Sequence, residues 1–348
     1  MWQMLISHSK FLPILTSRDE ARSTTRYELL HLLKSCCVDP QEKNSTKLLR
    51  CFLVAYSAST SRNDRLIFDM ITKLGGAERL SYRFGDSCSA TSSTATTAAS
   101  SSMDWFLDSV RPRRIRLSVK TLSTDKPDDS SYDPEYVLPL LLHMFDTADV
   151  VHVRRLVETG LVGYVIVCMS SDKLAIRTKA YDLLARYFQQ LELQQSQGLL
   201  VGGGFRERPQ IHLLLDTFRG AIERPYFKLP NIISVFVADA LPILLRPGHA
   251  IYTPLNNFLL ARSCLDLTDV PMYYSTFNSG RPTARAERIW ILKVLIRGLQ
   301  CDKDVNMYSR RHCFTATMAV RFCRVLETLS HQSLNQKCRY SRIIVMTR

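Results

Sequence analysis

The residues best suited to do chemistry in this sequence are clustered arginines. Arg111, Arg113, Arg114 and Arg116 occupy most of a six-residue run. A guanidinium group carries a permanent charge and a planar fork of N–H donors that fits a phosphate. The cluster therefore indicates a nuclear import signal or an arm that contacts phosphates. A plain solvated linker is the alternative, because short basic runs are common.

A second basic region lies towards the C-terminus. Residues 281–348 contain fourteen Lys or Arg against four Asp or Glu, a surplus of ten within the chain's net charge of +14. On a helix spanning 310–324, three arginines fall on one narrow face, and two further cations lie one turn apart on the preceding helix. Such faces suit a phosphate backbone, while a solvated surface or one for an acidic protein explains them too. The candidate contacts to RNA or to an acidic partner are Lys293, Arg297, Arg310, Arg321 and Arg324.

The sequence has no pattern typical of a catalytic centre. Asp133 and Glu135 are neighbouring carboxylates, but a helix start explains both. His312 and Cys313 have no partners at the spacing of a zinc site, and no serine lies in a Gly-x-Ser-x-Gly turn. The glycines 202–204 lack the Lys-Ser/Thr ending of a phosphate loop, so we interpret them as flexible. We expect a protein that is not an enzyme, with no cofactor, metal or small-molecule substrate.

Amphipathic helices are the elements predicted to carry these residues. From Asp172 to Leu191, apolar side chains recur at helical spacing. This pattern places Leu184 in the middle of the buried face and Arg186 in solvent. Asp182 would support the helix through an i,i+4 ion pair with Arg186.

Local start and stop signals divide the remaining sequence into further helices. Asp133 before Pro134 predicts a helix start, and Gly160 predicts a helix end. Residues 231–245 are almost entirely apolar but too few to span a bilayer. We interpret them as a buried helix that is kinked or ends near Pro242, and we expect no membrane contact.

The predicted fold class is all-α, in the form of an irregular HEAT- or armadillo-like helical repeat array, or α-solenoid. The chain shows no strict repeat period, so the array is expected to be irregular. The predicted divisions are an uncertain N-terminal segment at 1–24, a short helical region at 25–86, a Ser/Thr-rich and basic linker at 87–131, a helical-repeat domain at 132–330 with a flexible insert near 194–208, and an uncertain tail at 331–348.

The ten cysteines are scattered without CxxC pairs, which predicts reduced thiols and an intracellular protein. The N-terminal residues alternate apolar and polar side chains and lack the unbroken apolar stretch of a secretory signal. A transit peptide stays open as an alternative, because the first acidic residue is Asp19.

Ten short segments, in order along the chain, carry a family resemblance. They are Leu53–Ala58, Tyr132–Leu142, Val157–Leu161, Met169–Asp172, Arg177–Tyr181, Phe258–Leu260, Leu265–Leu267, Val270–Pro271, Glu287–Trp290 and Gly298–Leu299. Together they resemble the C-terminal region of the nucleolar pre-ribosomal-associated protein 1 family, also called the Urb/Npa family. The likeness covers roughly Leu48 to Phe322, and its specificity lies in the order of the segments, since no single segment is diagnostic.

The resemblance implies a helical-repeat scaffold in the nucleolus that assists assembly of early precursors of the large (60S) ribosomal subunit and maturation of pre-ribosomal RNA. The implied partners are pre-ribosomal RNA and other ribosome assembly factors, and no catalytic residues are implied. Family members are much longer, and the ending from Cys338 to Arg348 has no counterpart in them. The alternative is a helical-repeat adaptor of trafficking or nuclear import, which would bind proteins and no RNA.

Overall fold

The structure is a computed structural model that describes residues 7–17, 19, 23–35, 45–74, 107–108, 110–122, 130–147, 151–196, 205–310 and 312–313. Within these ranges it is helical and contains no strand, apart from an isolated bridge between Ser59 and Tyr132. The all-α prediction is confirmed. The helices are α1 (Phe11–Thr16), α2 (Ser23–Ser35), α3 (Ser45–Ala55), α4 (Arg62–Lys73), α5 (Pro112–Thr121), α6 (Pro134–Thr147), α7 (Val153–Thr159), α8 (Leu161–Cys168), α9 (Leu174–Ser196), α10 (Arg208–Gly220), α11 (Asn231–Leu244), α12 (Tyr252–Leu260), α13 (Tyr273–Phe277), α14 (Ala284–Gly298) and α15 (Asp302–Arg310).

The predicted start and stop signals lie at observed helix ends. The backbone N–H of Glu135 donates to Asp133 Oδ1 at 2.9 Å at the start of α6, which satisfies a donor that the helix leaves free. α7 ends at Gly160, whose φ of 87° is in the left-handed region that favours glycine. α11 ends shortly after Pro242.

Two central helices, α8 and α11, hold the core together. Every residue of α8 is buried, because α5, α7, α9 and α11 all pack against it. α11 in turn contacts α7, α8, α10, α12 and α14. A helix enclosed in this way has no polar face to show in sequence, and both segments are correspondingly apolar.

Contacts along this core recur at every third helix. α5 packs on α8, α8 on α11, and α11 on α14. The last of these contacts is very close, since a Cβ atom at Gly298 would lie 2.6 Å from Ile232 Cα. Only glycine permits the two backbones to approach at this point.

The buried face of α9 agrees with the predicted one at Ile176, Ala180, Leu183, Tyr187 and Leu191, all of which are buried, and differs at Leu184. Leu183 is 2% exposed, whereas Leu184 is only half-buried against the core. Arg186 pairs with Asp146 of α6 instead of Asp182. α9 packs on α6 and on α8. The departures from the prediction are Leu184, which is partly exposed, and Arg186, which reaches across to α6.

Candidate nucleic-acid interface

The predicted arginine cluster forms a docked helix. The structure places α5 inside the range 87–131, which the sequence predicted to be a linker. Its inner face buries Ile115, Ser118 and Val119 against the core. The Ser118 hydroxyl also accepts a hydrogen bond of 2.8 Å from the backbone N–H of Tyr132. The basic run at 111–116 could not show this, because only Ile115 of the three buried residues lies within it.

Arg114 helps to hold α5 against the rest of the protein. Its Nη1 donates to the carbonyl oxygen of Ser57 at 2.8 Å, and its Nε donates to the carbonyl of Ser130. The guanidinium carbon lies 4.0 Å from the centre of the Tyr132 ring, a cation–π contact. The structure thus directs Arg114 inward, away from the outer face where phosphates would be bound.

The other cations of α5 face solvent. Arg111, Arg113, Arg116 and Lys120 are exposed, and none of them pairs with a carboxylate in the part of the chain that the structure describes. The nearby carboxylate of Asp108 pairs with Arg155 instead. Because Arg113, Arg116 and Lys120 are three and four residues apart, they lie on one side of the helix. We call these three residues the α5 basic face.

The C-terminal candidates have different surroundings. Lys293 is exposed on α14, but the Arg297 guanidinium forms a two-pronged ion pair with the carboxylate of Asp239 on α11. Burial lowers the pKa of Arg297, although an arginine stays charged at any physiological pH. Arg310 is the last residue of α15. Arg321 and Arg324 lie outside the described residues, so their shared face stays a prediction.

A groove runs between α4, α6 and α9. It comprises two adjoining cavities of about 470 and 450 Å³, which share walls formed by Phe68, Pro134, Glu135, Lys173 and Ile176. Lys173 pairs with Glu135 at the join. Burial raises the pKa of the Asp133 carboxyl in the larger cavity.

The described residues also lack the features of two other kinds of site. They contain no group of three or more His, Cys, Asp or Glu side chains placed to hold a metal ion. Among the described helices, none combines the length and apolar character that a membrane span requires.

Sequence reasoning missed the loop between α10 and α11. It reads Arg224-Pro225-Tyr226-Phe227-Lys228, and its two aromatic side chains are 40% and 44% exposed. The available signal was a pair of adjacent aromatics with a cation on each side, in a segment that contains Pro225 and is followed by Pro230. Helical periodicity does not register this signal, because it lies between two helices.

Comparisons with known proteins decide the family. The family described as nucleolar pre-ribosomal-associated protein 1 matches residues 162–340, just over half of the chain. The chain belongs to this family. The match runs from α8 beyond α15 and therefore includes the central helices α8 and α11, as well as Lys293 and Arg297. The α5 basic face lies before it.

Two relatives carry the family name. The chain is 31% identical over 186 residues to nucleolar pre-ribosomal-associated protein 1 of Mus musculus, and 29% identical over 186 residues to that of Homo sapiens. Each comparison covers 53% of this chain but only 8% of the relative. No solved structure matches the chain.

Proposed function

We propose that this chain is a non-catalytic helical scaffold that assists assembly of early 60S precursors and maturation of pre-ribosomal RNA in the nucleolus. The observation that carries the proposal is membership of the nucleolar pre-ribosomal-associated protein 1 family. Both relatives are named for association with pre-ribosomes in the nucleolus. The proposed partners are accordingly pre-ribosomal RNA and ribosome assembly factors.

The contacts between helices support a repeat array as the architecture of this scaffold. The series α5, α8, α11 and α14 packs at every third helix, which is the spacing expected when a unit of three helices is stacked, as in armadillo-like repeats. Stacked units present long surfaces on which several partners can be held at once. A scaffold requires such surfaces more than it requires an enclosed site.

The α5 basic face supports contact with RNA phosphates. Arg113, Arg116 and Lys120 are exposed and have no carboxylate partner among the described residues, so binding a phosphate requires no ion pair to be broken. Arg111 is exposed beside them. Lys293, Arg310, Arg321 and Arg324 are proposed as a second set of contacts, and an import signal at residues 111–116 stays open as another use of that cluster.

A binding experiment tests this proposal. The variant Arg113→Gln/Arg116→Gln/Lys120→Gln should bind pre-ribosomal RNA fragments of unrelated sequence more weakly by similar factors. The slope of log affinity against log salt should flatten by about two to three units, since each phosphate contact contributes about 0.7 to 0.9. A matched control is Lys73→Gln/Arg206→Gln/Arg246→Gln, which removes the same charge from exposed cations at three separate places, on α4, before α10 and after α11.

The second candidate function is a protein adaptor of trafficking or import. The groove between α4, α6 and α9 favours it, because its smaller cavity is lined largely by apolar side chains such as Tyr136, Pro139 and Leu140. Equal RNA affinities and salt slopes for the two triple variants would support this candidate over RNA contact. Imaging of the tagged full-length native protein checks the proposed nucleolar location.

A further inference from the structure

The loop between α10 and α11 exposes aromatic side chains in a way that core packing does not explain. Tyr226 is 40% exposed and Phe227 is 44% exposed. They adjoin each other in sequence, whereas a helix that buried both would place them on one face three or four residues apart. The ring of Tyr226 meets Tyr181 edge-on at 5.8 Å between centroids. That contact supports the tyrosine ring at one side.

The backbone of this loop is held in place by α9. Arg177 Nε donates to the carbonyl of Tyr226 at 3.2 Å, and the hydroxyl of Tyr181 donates to the carbonyl of Phe227 at 2.8 Å. Tyr226 also has a φ of 57°, which is a strained conformation for a bulky residue. Such strain persists only where the surroundings impose it and is enriched at functional sites. The loop therefore presents its two aromatic side chains from a fixed backbone.

The cations Arg224, Lys228 and Arg177 adjoin these rings, together with the exposed carboxylates of Glu223 and Asp172. Arg224 is exposed and has no carboxylate partner in the described ranges. Arg177 uses its N–H groups on the backbone carbonyls of Ser171, Asp172 and Tyr226, so its charge stays at the base of the loop. Lys228 pairs with Asp172; the lysine side chain is 30% exposed and the aspartate side chain 91% exposed, and an ion pair with one partner in solvent contributes little stability.

We propose that this loop is a stacking platform for unpaired RNA bases, with Tyr226 and Phe227 contacting the bases and Arg224 contacting the adjacent phosphate. Aromatic side chains beside cations are the chemistry by which proteins bind single-stranded nucleic acid. A duplex keeps its base faces stacked inside, so the platform requires unpaired nucleotides. The inference rests on the proposed association with RNA and adds single strands as the form bound here.

Binding of the full chain to two RNAs tests the platform. The probes are a fluorescent oligouridine of about twelve nucleotides, within the site sizes of known single-strand binders, and a duplex of similar length. The variant Tyr226→Leu/Phe227→Leu keeps apolar side chains but removes the aromatic rings. Its affinity for the oligouridine should fall by about tenfold or more, and its affinity for the duplex should not change.

The salt dependence separates stacking from charge. The Tyr226→Leu/Phe227→Leu variant should keep the salt slope of the wild type, because stacking releases no counterions. Arg224→Gln should flatten the slope for oligouridine by about 0.7, as expected for one lost phosphate contact to a single strand. Leu260→Ala is the control for a side chain of similar character elsewhere, since Leu260 is 65% exposed, and it should leave both affinities unchanged.

Other outcomes overturn the platform. Equal losses for single-stranded and duplex RNA would show that the loop does not select unpaired bases. Unchanged RNA binding combined with loss of a protein partner would make it a protein-docking loop. The triple variant of the α5 basic face is measured in parallel, so that a failed platform is distinguishable from a failure of RNA contact as a whole.

Crosslinking of the unaltered protein keeps the test decisive if the double variant does not fold. RNA containing 4-thiouridine should crosslink within residues 224–228 when it is single-stranded, and mass spectrometry would locate the site. Crosslinks found elsewhere but absent from 224–228 would refute the platform.

Discussion

The basic helices α5 and α14 have similar charge but use it differently. On α5, Arg113, Arg116 and Lys120 point to solvent without carboxylate partners in the described ranges. On α14, Arg297 is drawn into an ion pair with Asp239. α14 packs between α11 and α13, while α5 contacts the core through α8. The number of cations in a segment therefore does not give the number available to a partner. Depth in the fold decides that.

The largest expected effect tests how tightly α14 is packed. Gly298→Ala should lower the free energy of unfolding by about 3 kcal/mol or more, because the new Cβ would meet the backbone of Ile232 and overpacking against a backbone is not easily relieved. Denaturant unfolding measures the loss. Gly248→Ala is the control, since an added Cβ there meets nothing within 4 Å. Similar stabilities for both variants would show that α14 is not held closely against α11.

The ion pair on α14 is the next test. Arg297→Ala should cost about 1 to 3 kcal/mol of stability, because it leaves the Asp239 carboxylate unpaired. The side chains are 19% and 22% exposed, so solvent weakens the effect relative to a fully buried pair. Lys293→Ala should change stability by less than about 0.5 kcal/mol.

A double-mutant cycle isolates this pair. The variant Arg297→Ala/Asp239→Ala should be more stable than the sum of the two single losses implies. Strict additivity would mean that Arg297 contributes through packing alone and that its charge remains available to a partner. In that case α14 would resemble α5.

A third prediction divides the α5 cluster itself. Arg114→Ala should cost about 1 to 2 kcal/mol, since it removes two hydrogen bonds to backbone carbonyls and the contact with the Tyr132 ring. Arg113→Ala should cost less than about 0.5 kcal/mol but weaken RNA binding. Thermal unfolding and RNA binding of both variants check this separation. A larger loss of stability for Arg113→Ala than for Arg114→Ala would mean that Arg113, and not Arg114, lies on the inner face of α5.

The smallest expected effect is a pH dependence of stability that comes from Asp133, in the groove between α4, α6 and α9. Burial raises the pKa of Asp133 in the folded protein, so the unfolded chain loses this proton first as the pH rises. The stability from the protonated carboxyl is therefore fully present below about pH 3.9, the pKa of an unfolded aspartate, and is lost as the pH rises through the folded pKa.

Asp133→Asn should remove that pH dependence while keeping an oxygen that can accept from the N–H of Glu135. Unfolding free energies measured across this pH range check the prediction. The exposed Asp216→Asn variant is the control, and it is expected to follow the wild type. A pH profile that Asp133→Asn leaves unaltered would contradict the buried placement of the carboxyl.

Local chemistry made much of the helical structure predictable. The Asp133-Pro134 start and the Gly160 stop depend on a few adjacent residues, because capping and backbone conformation are local. The apolar run of α8 and the almost entirely apolar run of α11 likewise predicted burial, since neither presents a polar face to solvent. The ordered family segments gave the family, which the match over residues 162–340 confirmed.

Tertiary structure decided which side chains remain free. Whether an arginine binds RNA or a neighbouring carboxylate depends on residues far away in sequence, as with Arg297 and Asp239. The same holds for Arg114, which donates hydrogen bonds to the backbone carbonyls of Ser57 and Ser130. The exposure of Tyr226 also follows from α9, which holds the loop backbone although it is many residues away in sequence.

The sequence by itself determined helices, core segments and total charge, because these depend on local residue order and composition. Only the packed chain determined where charge and aromatic surface face outward, because each such assignment is a competition among partners that folding brings together.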